Sequence, residues 1–277
     1  MAAEVDPRLL LAGASPRLLD EWQIVPQIWN LARREVDFSP EPGRFILTGS
    51  AVPTADPIRH TGAARFIRVR QRTMTWAEKG GCLNAGGVSL RALFDGAIPH
   101  PSMSAAPLEQ IVHGILHPGF PGLLSAPSDI AARSMESYIK DIATTDLNRL
   151  ASLRSEPAVV EQLIASLARS TASEVSQATL RKDMSRTLPA PSEGTTAKLL
   201  ELLERVFLLE TIQPWAVSLR SKARLRRSSK YHLADPALAA AALHADANRL
   251  STDLATLGFL FESAVVHDLL VYAEALG

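Results

Sequence analysis

The sequence predicts an α/β segment built on a partial parallel sheet, followed by a mainly α-helical region that carries a helix-turn-helix. Three observations predict it. Early in the chain, two short apolar runs flank one amphipathic helical stretch, the strand–helix–strand order of a parallel crossover. From about residue 80 to 127 the chain is rich in Gly and Pro, which is loop or junction composition. From Ser128 onward, apolar residues recur at helical spacing behind cap-forming residues.

Each element follows from its residues. "PRLLD" (16–20) is short, apolar and ends in charge, as a buried strand does. "VPQIWNLARREVDF" (25–38) puts Val25, Ile28, Trp29, Ala32 and Val36 on one helical face, with Arg33, Arg34, Glu35 and Asp37 mostly outside. "EPG" turns the chain into a second buried strand, "RFILTG" (44–49). "ARFIRVRQRTM" (64–74) sets Phe66, Ile67 and Val69 against Arg65, Arg68, Arg70 and Arg72, which predicts a third strand with one charged face. Helices are expected over 128–151, over 156–172 with Pro157 in the first turn, and over 173–184. A further segment, 192–212, can be capped by Ser192, and Glu193 there suits the helix dipole. A short helix, a Pro-containing turn and a longer helix have the layout of a helix-turn-helix. Strand-like alternation follows over 216–236. Asp235 and Pro236 then open another helix, and a mostly apolar one closes the chain. The expected division is 1–110, a linker at 111–127, and 128–277.

Composition narrows the function classes. The chain has 277 residues, 47% hydrophobic and 21% charged, with 29 basic and 29 acidic residues. A balanced net charge excludes a global field for nucleic acid or membrane, so such a preference would come from a local patch. No secretory leader is expected, and no membrane span, for want of a run of about 18 apolar residues. One cysteine, Cys82, rules out an internal disulfide and a Cys-rich zinc site and fits a cytoplasmic location.

Asp20-Glu21 is the first constellation with chemistry. Adjacent carboxylates at a strand's end are how P-loop ATPases hold Mg²⁺ (Asp) and polarise or position the attacking water (Glu). A neighbouring strand ending in Thr48-Gly49-Ser50 would bring hydroxyls to the same place. Acidic pairs also end strands for solubility, and the pair alone does not separate the two.

"RLLDEWQ", "GRFILTGSA", "MTWAE", "GFPGLL", "KYHLADPALAAAAL" and "LGFLFESAVVHDLLVYAEALG", in that order, resemble a large prokaryotic family of AAA+-like ATPases with a conserved C-terminal domain of unknown function. The resemblance implies ATP and Mg²⁺ as cofactors. It matches Asp20 and Glu21 to the Walker B pair, with Asp20 serving the metal. Thr48 to Ser50 match the sensor-1 strand, and Arg65, after Gly62, matches a basic residue entering the next strand. It also implies that the helical part is a winged helix. The sequence departs from the family in having no GxxxxGK[ST] loop, the source of the backbone cradle and phosphate-binding Lys. A chain truncated at both ends, inactive alone and carrying half of a nucleotide site, is the expectation.

The second informative feature is basic. Arg220, Lys222, Arg224 and Arg226 alternate, which on a strand puts four cations on one face, and Arg227 and Lys230 add to them. After a helix-turn-helix this is where a DNA-contacting wing sits. An edge strand blunted by charge reads the same way, so a non-enzymatic DNA- or protein-binding winged-helix module is the alternative function. His113 and His117 stand four apart, but without an evident third ligand. Trp29, Trp76 and Trp215 are expected as core or interface anchors. Self-association is expected through an exposed sheet edge and the apolar C-terminal helix.

Overall fold

The computed structural model describes residues 6–39, 41–51, 62–80, 89–98, 106–147, 156–215 and 228–276. They group in two units, Met1–Gln71 with Arg205–Phe207, and Arg72–Glu204 with Leu208–Gly277. The described residues are mostly helical and hold two small two-stranded sheets.

In the first unit, Arg17–Leu19 (β1) and Phe45–Leu47 (β2) pair in parallel, in the register Arg17↔Phe45, Leu18↔Ile46, Leu19↔Leu47. The parallel crossover read from the sequence is therefore present. Its helix, Gln27–Phe38 (α1), buries Ile28, Trp29 and Ala32, three of the five residues assigned to its inner face. The other face of the sheet is bare: Leu18 is 61% and Ile46 51% exposed, directly opposite each other.

The expected third strand, 64–74, does not form. Phe66 instead stacks on Trp29 at 4.2 Å, and the Arg68 guanidinium lies 5.7 Å over the same indole. Ile67 and Val69 are exposed. Alternation specifies a strand only where one face is buried, and here neither is. The described residues are thus mostly helical, as expected of the larger part of the chain, and the described sheet of the first unit is a single short parallel pair.

The second unit contains Leu90–Phe94 (α2), Leu108–Leu116 (α3), Ser128–Asp141 (α4), Pro157–Arg169 (α5), Gln177–Met184 (α6), all but the last residue of Glu193–Arg205 (α7), Pro236–Ala242 (α8), Ala247–Thr252 (α9) and Leu254–Leu276 (α10). The stretch expected as linker, 111–127, holds most of α3 and a 3-10 turn at Pro121–Leu123. At the hub is α8, whose sequence PALAAAA is buried almost throughout and packs against α3, α4, α5 and α10. Alanine side chains let helices approach at the short end of the usual 8–10 Å range. Asp235 starts α8 as read from the sequence. Its Oδ1 accepts from Ala237 N at 2.9 Å and its Oδ2 from Gly119 N at 2.7 Å.

Gly119 is required there, because a Cβ would lie 2.5 Å from the Met74 carbonyl oxygen. The Met74 strap is tied on all sides. Met74 N donates to Gly119 O at 2.7 Å, and Trp76 N to Asp268 Oδ2 at 3.1 Å. Lys79 Nζ donates to Gly114 O and His117 O at 3.0 and 2.7 Å.

One further expectation needs correction. Trp215 is 78% exposed, so it is no anchor within the described residues. Among the described residues one helix, α10, is long and apolar enough to cross a membrane, by length and composition alone. One face, with Leu257, Leu260 and Ala264, is buried; Phe259, Phe261, Val265 and Leu269 are exposed.

Candidate functional site

Because β1 and β2 run parallel, the residues after them emerge at one edge. Thr48 N donates to Leu19 O at 3.1 Å, and Trp22 N to Thr48 O at 3.2 Å, which extends the pairing past both strand ends. Asp20 and Glu21 thereby meet Thr48 and Ser50. Thr48 Oγ1 donates to Asp20 Oδ1 at 2.6 Å, and Ser50 Oγ donates to Glu21 Oε2 at 3.3 Å. The two carboxylates are drawn to different hydroxyls. Asp20 is exposed and Glu21 half-buried.

Glu21 has φ 49°, in the left-handed region. For a residue with a Cβ this costs roughly 1–2 kcal/mol, and such strain is retained only where the surroundings fix it. The backbone is pinned on either side, by Trp22 N to Thr48 O at 3.2 Å and Ile24 N to Glu21 O at 2.9 Å, and Gln23 holds the side chain: its Nε2 donates to Glu21 Oε2 at 2.5 Å and to Ser50 Oγ at 3.3 Å. Gln23 ends the motif "RLLDEWQ", and no role for it is evident from the motif alone. The signal was its place two residues beyond Glu21, with a glycine on the facing strand end.

Arg65 is not brought to this edge. Its Nε donates to Asp37 Oδ1 at 2.9 Å, and that contact, foremost, holds the Asp37 carboxyl below its usual range. Asp37 also takes Arg33 Nη1 at 2.8 Å.

The second candidate lies in the helical unit. Ser176 caps α6 and Ser192 caps α7, each accepting from the backbone N–H three residues on at 3.1 Å. After α7 come Leu209–Ile212 (β3) and Lys230–Leu233 (β4), antiparallel, and Glu174 forms an isolated antiparallel bridge to Lys230. The order is helix, bridge, helix, turn, helix, hairpin. Arg220, Lys222, Arg224, Arg226 and Arg227 fall between β3 and β4 in sequence and lie outside the described residues. Lys230 is described, and its Nζ donates to Glu262 Oε1 at 2.7 Å. The exposed residues of α7 include Glu193, Ala197, Glu201 and Glu204, and Lys198 is bound to Glu201 at 2.8 Å.

His113 and His117 stack at 5.3 Å between ring centres, and His117 Nε2 lies 3.0 Å from Leu124 O. Burial, reinforced by the neighbouring His117 and Lys79, lowers the pKa of His113.

The profile of a family described as a domain of unknown function, DUF8612, matches residues 108–249, just over half of the chain. The chain belongs to the DUF8612 family. The DUF8612 match runs from α3 into α9 and takes in α6, α7, β3 and β4; Asp20 to Ser50 precede it. No curated protein and no solved structure matches this DUF8612 chain.

Proposed function

We propose that the strand edge of the first unit is the metal–nucleotide edge of an AAA+-like ATPase, with Asp20 for the cation and Glu21 for the attacking water. The observation that carries this reading is the parallel pairing that sets Asp20 against Thr48 and Glu21 against Ser50. Asp20 and Thr48 offer hard oxygen donors that fit Mg²⁺. Mg²⁺ is commonly bound through one or two carboxylates, with water and substrate phosphates completing the shell. Among the described residues no group of three or more His, Cys, Asp or Glu converges, so most of that shell would come from nucleotide and water.

When bound, Mg²⁺ neutralises phosphate charge; the residues here orient around it. Thr48 fixes the Asp20 carboxylate, and Ser50 and Gln23 fix Glu21. The 277 residues contain no GxxxxGK[ST], so a weak grip on the phosphates and no ATP turnover are expected of them. Titration of a fluorescent ATP analogue tests it. Weak binding that needs Mg²⁺ and is lost in Asp20→Asn is expected; binding indifferent to both overturns the reading.

A second reading is favoured by the helix–bridge–helix–turn–helix–hairpin order, which has the layout of a winged helix. In this reading DNA phosphates are met by the basic stretch Arg220 to Lys230. The acidic residues exposed on α7 disfavour its entry into a groove.

A further inference from the structure

We propose that Gln23 is a positioning residue that keeps the Glu21 carboxylate out of the coordination shell of a cation held by Asp20. The inference rests on the metal–nucleotide reading above. Glu21 stands next to Asp20 in the chain, and two adjacent carboxylates would ordinarily both seek a bound divalent cation, since affinity rises with the number of charged ligands. Here they are separated. Glu21 Oε2 accepts from two donors, Gln23 Nε2 at 2.5 Å and Ser50 Oγ at 3.3 Å, while Asp20 accepts from Thr48. Gln23 Nε2 also reaches Ser50 Oγ at 3.3 Å, which closes a triangle of side chains around Glu21 Oε2.

Gln23 is itself held in place at a cost. Its Oε1 is buried and has no hydrogen-bond partner among the described residues, an arrangement that destabilises unless something is gained by it. The side chain lies in the space left by Gly49: a Cβ at that position would fall 2.1 Å from Gln23 Oε1 and 3.0 Å from its Cδ. The left-handed backbone at Glu21 is a second strained feature of the same triangle. Gly49 makes room for Gln23, Gln23 draws Glu21 toward Ser50, and the carboxylate is left for water rather than metal.

The test is binding of Mn²⁺·ATP to the 277-residue chain, read by electron paramagnetic resonance. The unsubstituted chain should bind weakly, and Asp20→Asn should abolish binding. Gln23→Leu should free Glu21 to become a second carboxylate ligand and tighten binding by about three- to tenfold. Gly49→Ala should do the same by a different route, pushing the Gln23 amide aside, so the test does not depend on one variant folding. Adding Glu21→Gln to either should return the affinity to that of the unsubstituted chain. Affinity unchanged or weakened in both Gln23→Leu and Gly49→Ala, beside normal Asp20-dependent binding, overturns the role of Gln23 and leaves the metal reading standing. A gain that persists in the Glu21→Gln background overturns it too. No Asp20-dependent binding in any chain removes the metal reading and this inference with it.

Discussion

Replacing His232 with Asn should remove a span of acid lability from the second unit. His232 sits on β4 with 3% of its surface exposed, its Nδ1 is 3.1 Å from Ser263 Oγ on α10, and its Nε2 is buried without a partner among the described residues. Burial is the main cause that lowers its pKa from 6.5 to about 4; nearby Glu262 opposes the shift and Lys230 adds to it. The folded chain thus keeps His232 neutral at pH values where the unfolded chain protonates it. This contribution is whole above about pH 6.5 and is lost as pH falls toward 4, because the unfolded state gains a proton that the folded state refuses. At 1.36 kcal/mol per pKa unit, the loss between about pH 7 and pH 5 is roughly 2 kcal/mol. Asn can keep a polar contact with Ser263 and cannot titrate. Urea unfolding of both chains at the two pH values is the assay. The unsubstituted chain should lose about 2 kcal/mol more than the variant on acidification, whatever the variant's absolute stability, because all other titrating groups are common to both. Equal losses would refute the claim that burial holds His232 neutral.

Three other outcomes follow from the packing and the charge pattern. Ala240→Leu in the buried α8 should destabilise by about 1–3 kcal/mol in urea unfolding, because four helices crowd it; a neutral change would mean the hub is loosely packed. Lys in place of both Leu18 and Ile46 should lower self-association in sedimentation velocity, since those side chains form the exposed apolar pair of the parallel sheet; unchanged association would place the contact elsewhere. On the winged-helix reading, changing Arg220, Lys222, Arg224 and Arg226 to Ser should flatten the salt dependence of duplex DNA binding by about one unit of slope per lost phosphate contact; no binding, or an unchanged slope, would remove that reading.

The parts legible in the sequence were those with a local physical signature. The parallel pair β1–β2 could be read because two short apolar runs flank a helix of crossover length, and the Asp235–Pro236 start of α8 because cap and first-turn preferences are local. The third strand misled because alternation at 64–74 carries no information about a partner, and Phe66 found one in Trp29 instead. Fully buried α8 shows no amphipathic stripe, so its central position was invisible until its neighbours were placed. Asp20, Glu21, Thr48 and Ser50 meet as their spacing suggested. Gln23 escaped because its role depends on the absence of a side chain at Gly49, a residue 26 positions away that only folding brings near.

The most direct test of the metal–nucleotide edge is nuclear magnetic resonance of the 277-residue chain with Mn²⁺·ATP, which detects weak binding through paramagnetic broadening. Resonances of Asp20, Glu21, Thr48, Gly49 and Ser50 should broaden first, and Asp20→Asn should abolish the effect. Broadening centred on other residues, or the same broadening in Asp20→Asn, would contradict the metal–nucleotide reading.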